Sequence, residues 1–140
     1  MRAKLIFNPR AGATRTSPIE IVDVIHEMQA WKLVPEPYLV ESGCDLPGVV
    51  QDALAQGFRM VVVCGGDGTI SAVARSLAGT RATLGITPIG TQNNIALSLN
   101  IPDDIPADTG RSLEIFIVER FDCFVSLVPI MTHSTLLQEV

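Results

Sequence analysis

The chain has 140 residues, 47% hydrophobic and 18% charged, with a formal net charge of −5. That length holds a single core, and the apolar balance excludes disorder while favouring an α/β domain whose parallel strands are covered on both faces. An acidic balance without a basic run argues against a nucleic-acid or anionic-membrane surface, so any phosphate must be held locally, by backbone amides and a metal.

In chain order, residues 4–7 read as a short apolar strand ended by Asn8-Pro9. Residues 19–31 carry Ile21, Val22, Ile25, Met28 and Ala30 near helical spacing. Ser17-Pro18 supplies a start for that helix, with Ser17 as N-cap, Pro18 at the first position and Glu20 three residues on. Residues 38–40 predict a second strand and 46–56 a second helix, closed by Gly57. The run 60–64 is wholly apolar, as a central parallel strand requires. A third helix is expected over 70–77, starting near Thr69 and stopped by Gly79, then a fourth strand over 83–89 and a short helix over 95–99. Residues 102–110 read as loop, and 113–118 and 123–128 as two strands around Glu119-Arg120-Phe121-Asp122. Strand and helix thus alternate, which predicts a doubly wound, Rossmann-like, mostly parallel sheet with helices on both faces and a C-terminal β-hairpin or strand pair.

The most apolar stretch, 113–131, is broken by Glu114, Glu119, Arg120 and Asp122, so no transmembrane segment is expected. The opening MRAKLIFNPRAG turns polar after three apolar residues, which predicts a strand and not a signal peptide, and hence a cytoplasmic protein. Cys44, Cys64 and Cys123 lack metal-ligand or CxxC spacing and are expected as reduced, buried core thiols. His26 in mid-helix and His133 in the tail have no paired nucleophile or carboxylate pattern and read as non-catalytic.

Ligands of such sheets collect at the carboxyl ends of the strands, where this chain places NPRAG (8–12), GGDGT (65–69) and GTQNN (90–94). Gly65 and Gly66 permit backbone angles closed to other residues, which predicts a nest of amides for a phosphate beside the positive end of the third helix. Asp67 would repel that phosphate unless it holds a divalent cation or orders the loop. Taken singly, each stretch is an ordinary tight turn, strand terminator or helix cap. Their order and spacing say more. NPxxG after the first strand, GGDGT after the third and TPIGTQNNIALSLNIP some twenty residues later resemble the catalytic domain of the diacylglycerol kinase and related lipid kinase family, which includes sphingosine and ceramide kinases. The resemblance covers residues 3–127; GGDGT is shared with NAD kinases, whereas the pattern from Pro88 to Pro102 is similar to the lipid kinase branch.

The resemblance implies an α/β nucleotide-binding domain over 1–111 and C-terminal strands over 112–140, packed on it or leading into a second, mostly β domain. It implies an ATP site formed by Asn8, Pro9, Arg10, Gly12, Gly65, Gly66, Asp67, Gly68, Thr69, Ile70, Ser71, Gly90, Thr91 and Asn93. A water-linked Mg2+ network would use Asp67 and Asp122. The expected reaction is transfer of the ATP γ-phosphate to a lipid hydroxyl, by a protein at most peripheral to the membrane surface. The catalytic base and the lipid site would belong to the second domain, which the resemblance places beyond residue 140.

Departures from the family pattern keep other readings open. Asn94 stands where aspartate is usual, Ser71 and Ala72 replace asparagine and glutamate, and Leu39-Val40 replaces a frequent threonine; each removes a polar group from the expected cleft. The alternatives are a catalytically inactive nucleotide-binding regulatory module, a self-associating assembly module built on the apolar tail IFIVERFDCFVSLVPIM, and an NAD kinase-like phosphotransferase.

Overall fold

The computed structural model describes residues 1–11, 19–88, 116–118 and 130–131. The elements in chain order are β1 (Arg2–Phe7), α1 (Ile21–Ala30), β2 (Val34–Leu39), α2 (Leu46–Ala55), β3 (Met60–Gly65), α3 (Asp67–Leu77), β4 (Thr83–Pro88), β5 (Phe116–Val118) and β6 (Ile130–Met131). They form one sheet in the order β2-β1-β3-β4-β5-β6. β2, β1, β3 and β4 run parallel, while β5 is antiparallel to β4 and β6 to β5. The expected α/β sheet with a C-terminal strand pair is therefore present.

Strand alternation sorts the core. Ala3, Leu5 and Phe7 of β1 and Met60, Val62 and Cys64 of β3 pack with Val24 and Met28 of α1. Ile6, Val61 and Val63 point the other way and join Val50 of α2 and Ile70, Val73 and Leu77 of α3. The chain steps one way from β1 to β2 and the opposite way from β2 to β3 and β4, so right-handed crossovers put α1 on one face and α2 and α3 on the other. Covered twice, β3 is buried at every residue. Each fully buried aliphatic side chain contributes about 1.5–3 kcal/mol of transfer free energy.

Several element ends differ from the sequence expectation for identifiable reasons. β2 starts at Val34, not residue 38, and contains Pro35 and Pro37. It is an edge strand. Val34 and Val40 donate their N–H groups to Met1 and Phe7 of the β1 segment, at 2.8 Å each. The prolines have the opposite parity, so their missing N–H groups fall on the open edge, where a proline is tolerated. Helix α1 is capped by Glu20 and not Ser17: the Glu20 N–H donates to Asp23 Oδ2 at 3.0 Å, and the first turn begins at Ile21. Gly57 and Gly79 follow their helices at φ +91 and +77, the left-handed stop that glycine makes cheaply. The expected strand at 123–128 and helix at 95–99 lie outside the described residues.

Candidate functional site

The chain leaves β1 in one direction and β3 in the other, so the crevice between their carboxyl ends is the switch point at which such sheets bind ligands. Two of the three polar stretches meet there. The Asn8 backbone N–H donates to the Cys64 carbonyl at 2.9 Å, which ties the exit of β1 to the end of β3. The Asn8 side chain accepts from the Arg10 N–H at 3.0 Å and donates through Nδ2 to Thr69 Oγ1 at 3.3 Å. Ala11 N–H closes the turn on the Asn8 carbonyl at 3.2 Å. Pro9 and Arg10 are exposed at the rim.

The GGDGT segment is shorter in loop and longer in helix than its composition suggests. β3 runs through Gly65, Gly66 is the N-cap, and α3 begins at Asp67, two to three residues before the expected start. Gly66 has φ −93 and ψ −173, ordinary extended backbone, and Gly65 has no positive φ, so neither uses the backbone angles closed to other residues that were expected of them. Their smallness has another cause. A Cβ on Gly65 would lie 3.1 Å from Thr69 Cβ and 3.4 Å from its Oγ1, so glycine is what lets the first turn of α3 sit on the strand end. Gly68 differs: a Cβ there meets nothing within 4 Å, and the residue is exposed. No contact among the described residues requires glycine at that position.

The first α3 bond runs from Ile70 N–H to the Gly66 carbonyl at 3.0 Å, so the amides of Asp67, Gly68 and Thr69 precede the helical ladder. A glycine N-cap has no side chain to accept from them. These amides carry the positive end of the helix dipole toward the crevice. Ile70 has both its side chain and its amide engaged, since it is wholly buried in the α2–α3 core. It packs as a core residue beneath this turn. Ser71 is half-buried on the next turn.

As to metal, Asp67 is the acidic residue of the first turn, and among the described residues no group of three His, Cys, Asp or Glu side chains gathers. A single carboxylate joined by water and ligand phosphates is a donor set that fits Mg2+. Gly12, Gly90, Thr91, Asn93 and Asp122 lie outside the described residues, as do Asn94, Cys123 and His133.

Sequence reasoning passed over Thr87, which is wholly buried at the carboxyl end of β4, in register with Cys64. It reads as one more β-branched strand residue; its place just before Pro88 was the available signal. Cys64 is a buried thiol as expected, but Cys44 is only half-buried. Cys44 hydrogen-bonds with Tyr38, whose phenol is pushed up first by desolvation and then by that bond. His26 is exposed on α1.

Comparison with known proteins agrees with this architecture. Residues 2–121 match the family model described as the diacylglycerol kinase catalytic domain. A diacylglycerol kinase of Staphylococcus saprophyticus is 32% identical over 109 residues, covering 74% of this chain and 34% of the relative. One from Bacillus subtilis is 32% identical over 113 residues, covering 77% and 37%. A protein of Cronobacter sakazakii named probable lipid kinase YegS-like is 46% identical over 65 residues, covering 44% and 22%. The crystal structure of a diacylglycerol kinase from Bacillus anthracis superposes with a TM-score of 0.57 at 25% identity, over 74% of this chain and 38% of that one. The matched stretch thus spans 34–37% of the two curated diacylglycerol kinases. On fold, motif order and family match together, the chain belongs to the diacylglycerol kinase catalytic domain family.

Proposed function

We propose that this chain is the nucleotide-binding part of a lipid kinase and holds ATP at the β1–β3 switch point for transfer of its γ-phosphate to a lipid hydroxyl. The observation that carries the reading is the junction of the Asn8 turn with the GGDGT helix start, beside uncovered space at Gly68. Phosphate oxygens fit there, against the Asp67, Gly68 and Thr69 amides and the positive end of α3, a placement worth about 0.3–1 kcal/mol from the dipole alone and up to ~2 in a partly buried site. Backbone can approach a ligand closely at Gly68 because no Cβ stands in the way. The Thr69 hydroxyl lies at the same turn and offers one further donor.

Asp67 has two electrostatic relations at once. At the first position of α3 it is favoured by the helix dipole, and toward an incoming triphosphate it is repulsive. Magnesium, when bound, would neutralise phosphate charge, with Asp67 as the ligand from this part of the chain. In phosphoryl transfer most of the protein's contribution is to position the phosphates and neutralise their charge, and the residues gathered here suit that role. The general base and the lipid contacts are assigned, on family grounds, to a further β domain. Among the described residues no helix is long and apolar enough to cross a membrane.

Calorimetric titration with ATP, with and without Mg2+, on wild type and Asp67→Ala tests the reading. Saturable binding that Mg2+ strengthens, and that Asp67→Ala weakens mainly in the presence of Mg2+, is the expected result. Absence of any heat or thermal shift at millimolar ATP sinks it.

A further inference from the structure

We infer that Asn8 is a positioning residue for the phosphate-binding turn, acting through Thr69 and not by touching the nucleotide; this deepens, and rests on, the ATP reading above. Asn8 holds the chain at three points. Its backbone N–H is given to Cys64 at the end of β3, its Oδ1 takes the Arg10 amide, and its Nδ2 reaches Thr69 Oγ1. Both ends of the side-chain amide are thus engaged inside the protein. Thr69 in turn packs where a Cβ at position 65 would crowd it, with its hydroxyl 3.4 Å from where that Cβ would stand.

The direction of the Asn8–Thr69 bond matters. Because the Thr69 oxygen accepts from Nδ2, the hydroxyl keeps its own proton to donate. Without Asn8, that proton is free to turn back to a carbonyl of the preceding turn, the usual local habit of a threonine in a helix. Thr69 is 8% exposed, so its side chain has little room to settle elsewhere once so held. Gly65 makes the space, Thr69 fills it, and Asn8 fixes both the hydroxyl and the first turn that carries the Asp67 and Gly68 amides. Residues 61 apart in sequence act as one unit.

A double-mutant cycle on the full chain tests this, with ATP and adenosine as probes and a thermal melt for every variant. Asn8→Ser keeps an oxygen for the Arg10 amide but is too short to reach Thr69, and Thr69→Val removes the hydroxyl at nearly constant volume. Asn8→Ser is expected to weaken ATP about five- to tenfold, the size of one ordinary net hydrogen bond, because the Thr69 donor is misdirected and not removed. It should leave adenosine within about twofold, and add less than about twofold in the Thr69→Val background. Thr69→Ser, which retains the accepting oxygen, should keep the coupling to Asn8 that Thr69→Val abolishes. Should Asn8→Ser melt without cooperativity, Asn8→Thr, which carries the same short oxygen and no charge, replaces it in the cycle. Additive losses would mean that Asn8 touches the nucleotide itself, and equal losses for adenosine would mean that the cleft has merely loosened; either overturns the inference while leaving ATP binding intact. A wild type that binds neither probe ends the nucleotide reading and this inference together.

Discussion

The two ends of the same strands are built on opposite plans. At the amino end, Arg2 and Lys4 of β1 both reach Glu36 of β2, at 3.0 and 3.1 Å. The Arg2 guanidinium also stands 4.5 Å from the centroid of the Phe58 ring, and the Lys4 ammonium 5.9 Å from it. Charge there is answered by charge and by an aromatic face within the chain. At the carboxyl end β1 gives way to the Asn8 turn, while β3 finishes in Gly65 and is followed at once by the N-cap and first turn of α3. Small residues and backbone amides line that end, where Asn8 Nδ2 donates to the Thr69 hydroxyl oxygen, a link between neutral groups. The contrast teaches how a parallel sheet divides its work: one end is closed on itself for stability, the other presents donors to whatever arrives.

The sharpest way to break the comparison is to crowd the close approach of α3 to the strand end. Gly65→Val drives two methyl groups toward Thr69, already 3.1 Å from the position of a Cβ. Overpacking of this kind costs about 1–3 kcal/mol. Urea unfolding should show that loss, and ATP binding should vanish with the displaced turn. A valine variant with wild-type stability and affinity would mean that the close approach of α3 to β3 is incidental.

Gly68→Ala separates the two plans more finely, because stability and binding should move in opposite directions. Nothing in the described chain meets a Cβ at Gly68, and alanine is favoured over glycine inside a helix by about 1 kcal/mol. The melting temperature should therefore hold or rise. ATP affinity should fall roughly tenfold, equivalent to about 1.4 kcal/mol, if a phosphate lies against that backbone. Unchanged affinity would move the ligand away from α3.

How much of this was legible beforehand follows the range of the interactions. The alternation of apolar runs with helical spacing gave β1, α2, β3 and β4 to within a residue or two, because each depends on neighbours in sequence. Pro35 and Pro37 hid the first half of β2, since their tolerance depends on β2 being an edge, which is a fact of sheet order. Asp-Gly inside GGDGT read as turn chemistry, whereas Gly66 in extended backbone starts the helix at once. Ser17-Pro18 read as the start of α1, but Glu20 is its N-cap and the Glu20–Asp23 bond sets its start. At the candidate site, motif order in the sequence was enough to name Asn8, Gly65, Gly68 and Thr69 as candidates. That Asn8 grips Thr69 was not legible, because it requires β1 and β3 to be adjacent, and their adjacency follows from the crossovers and not from any local pattern.

The smallest effect is expected from the closed end, and its pH dependence has a definite sign. Hydrogen bonds from Lys4 first and Arg2 second hold the Glu36 carboxyl below the usual carboxylate range. A carboxylate depressed in the folded state adds stability that is fully present above its unfolded pKa and fades as pH falls through the folded one. The pair should therefore act at neutral pH and weaken only in acid. Glu36→Gln should lower the melting temperature slightly at pH 7, as for most exposed ion pairs, with the difference from wild type shrinking toward pH 3 and also in high salt. ATP affinity should not change, because Glu36 lies on the β2 edge strand beside Lys4, three residues before the strand's carboxyl end. A Glu36→Gln variant that lost ATP binding at unchanged stability would show that the two ends of the sheet are coupled, and the division between them would have to be redrawn.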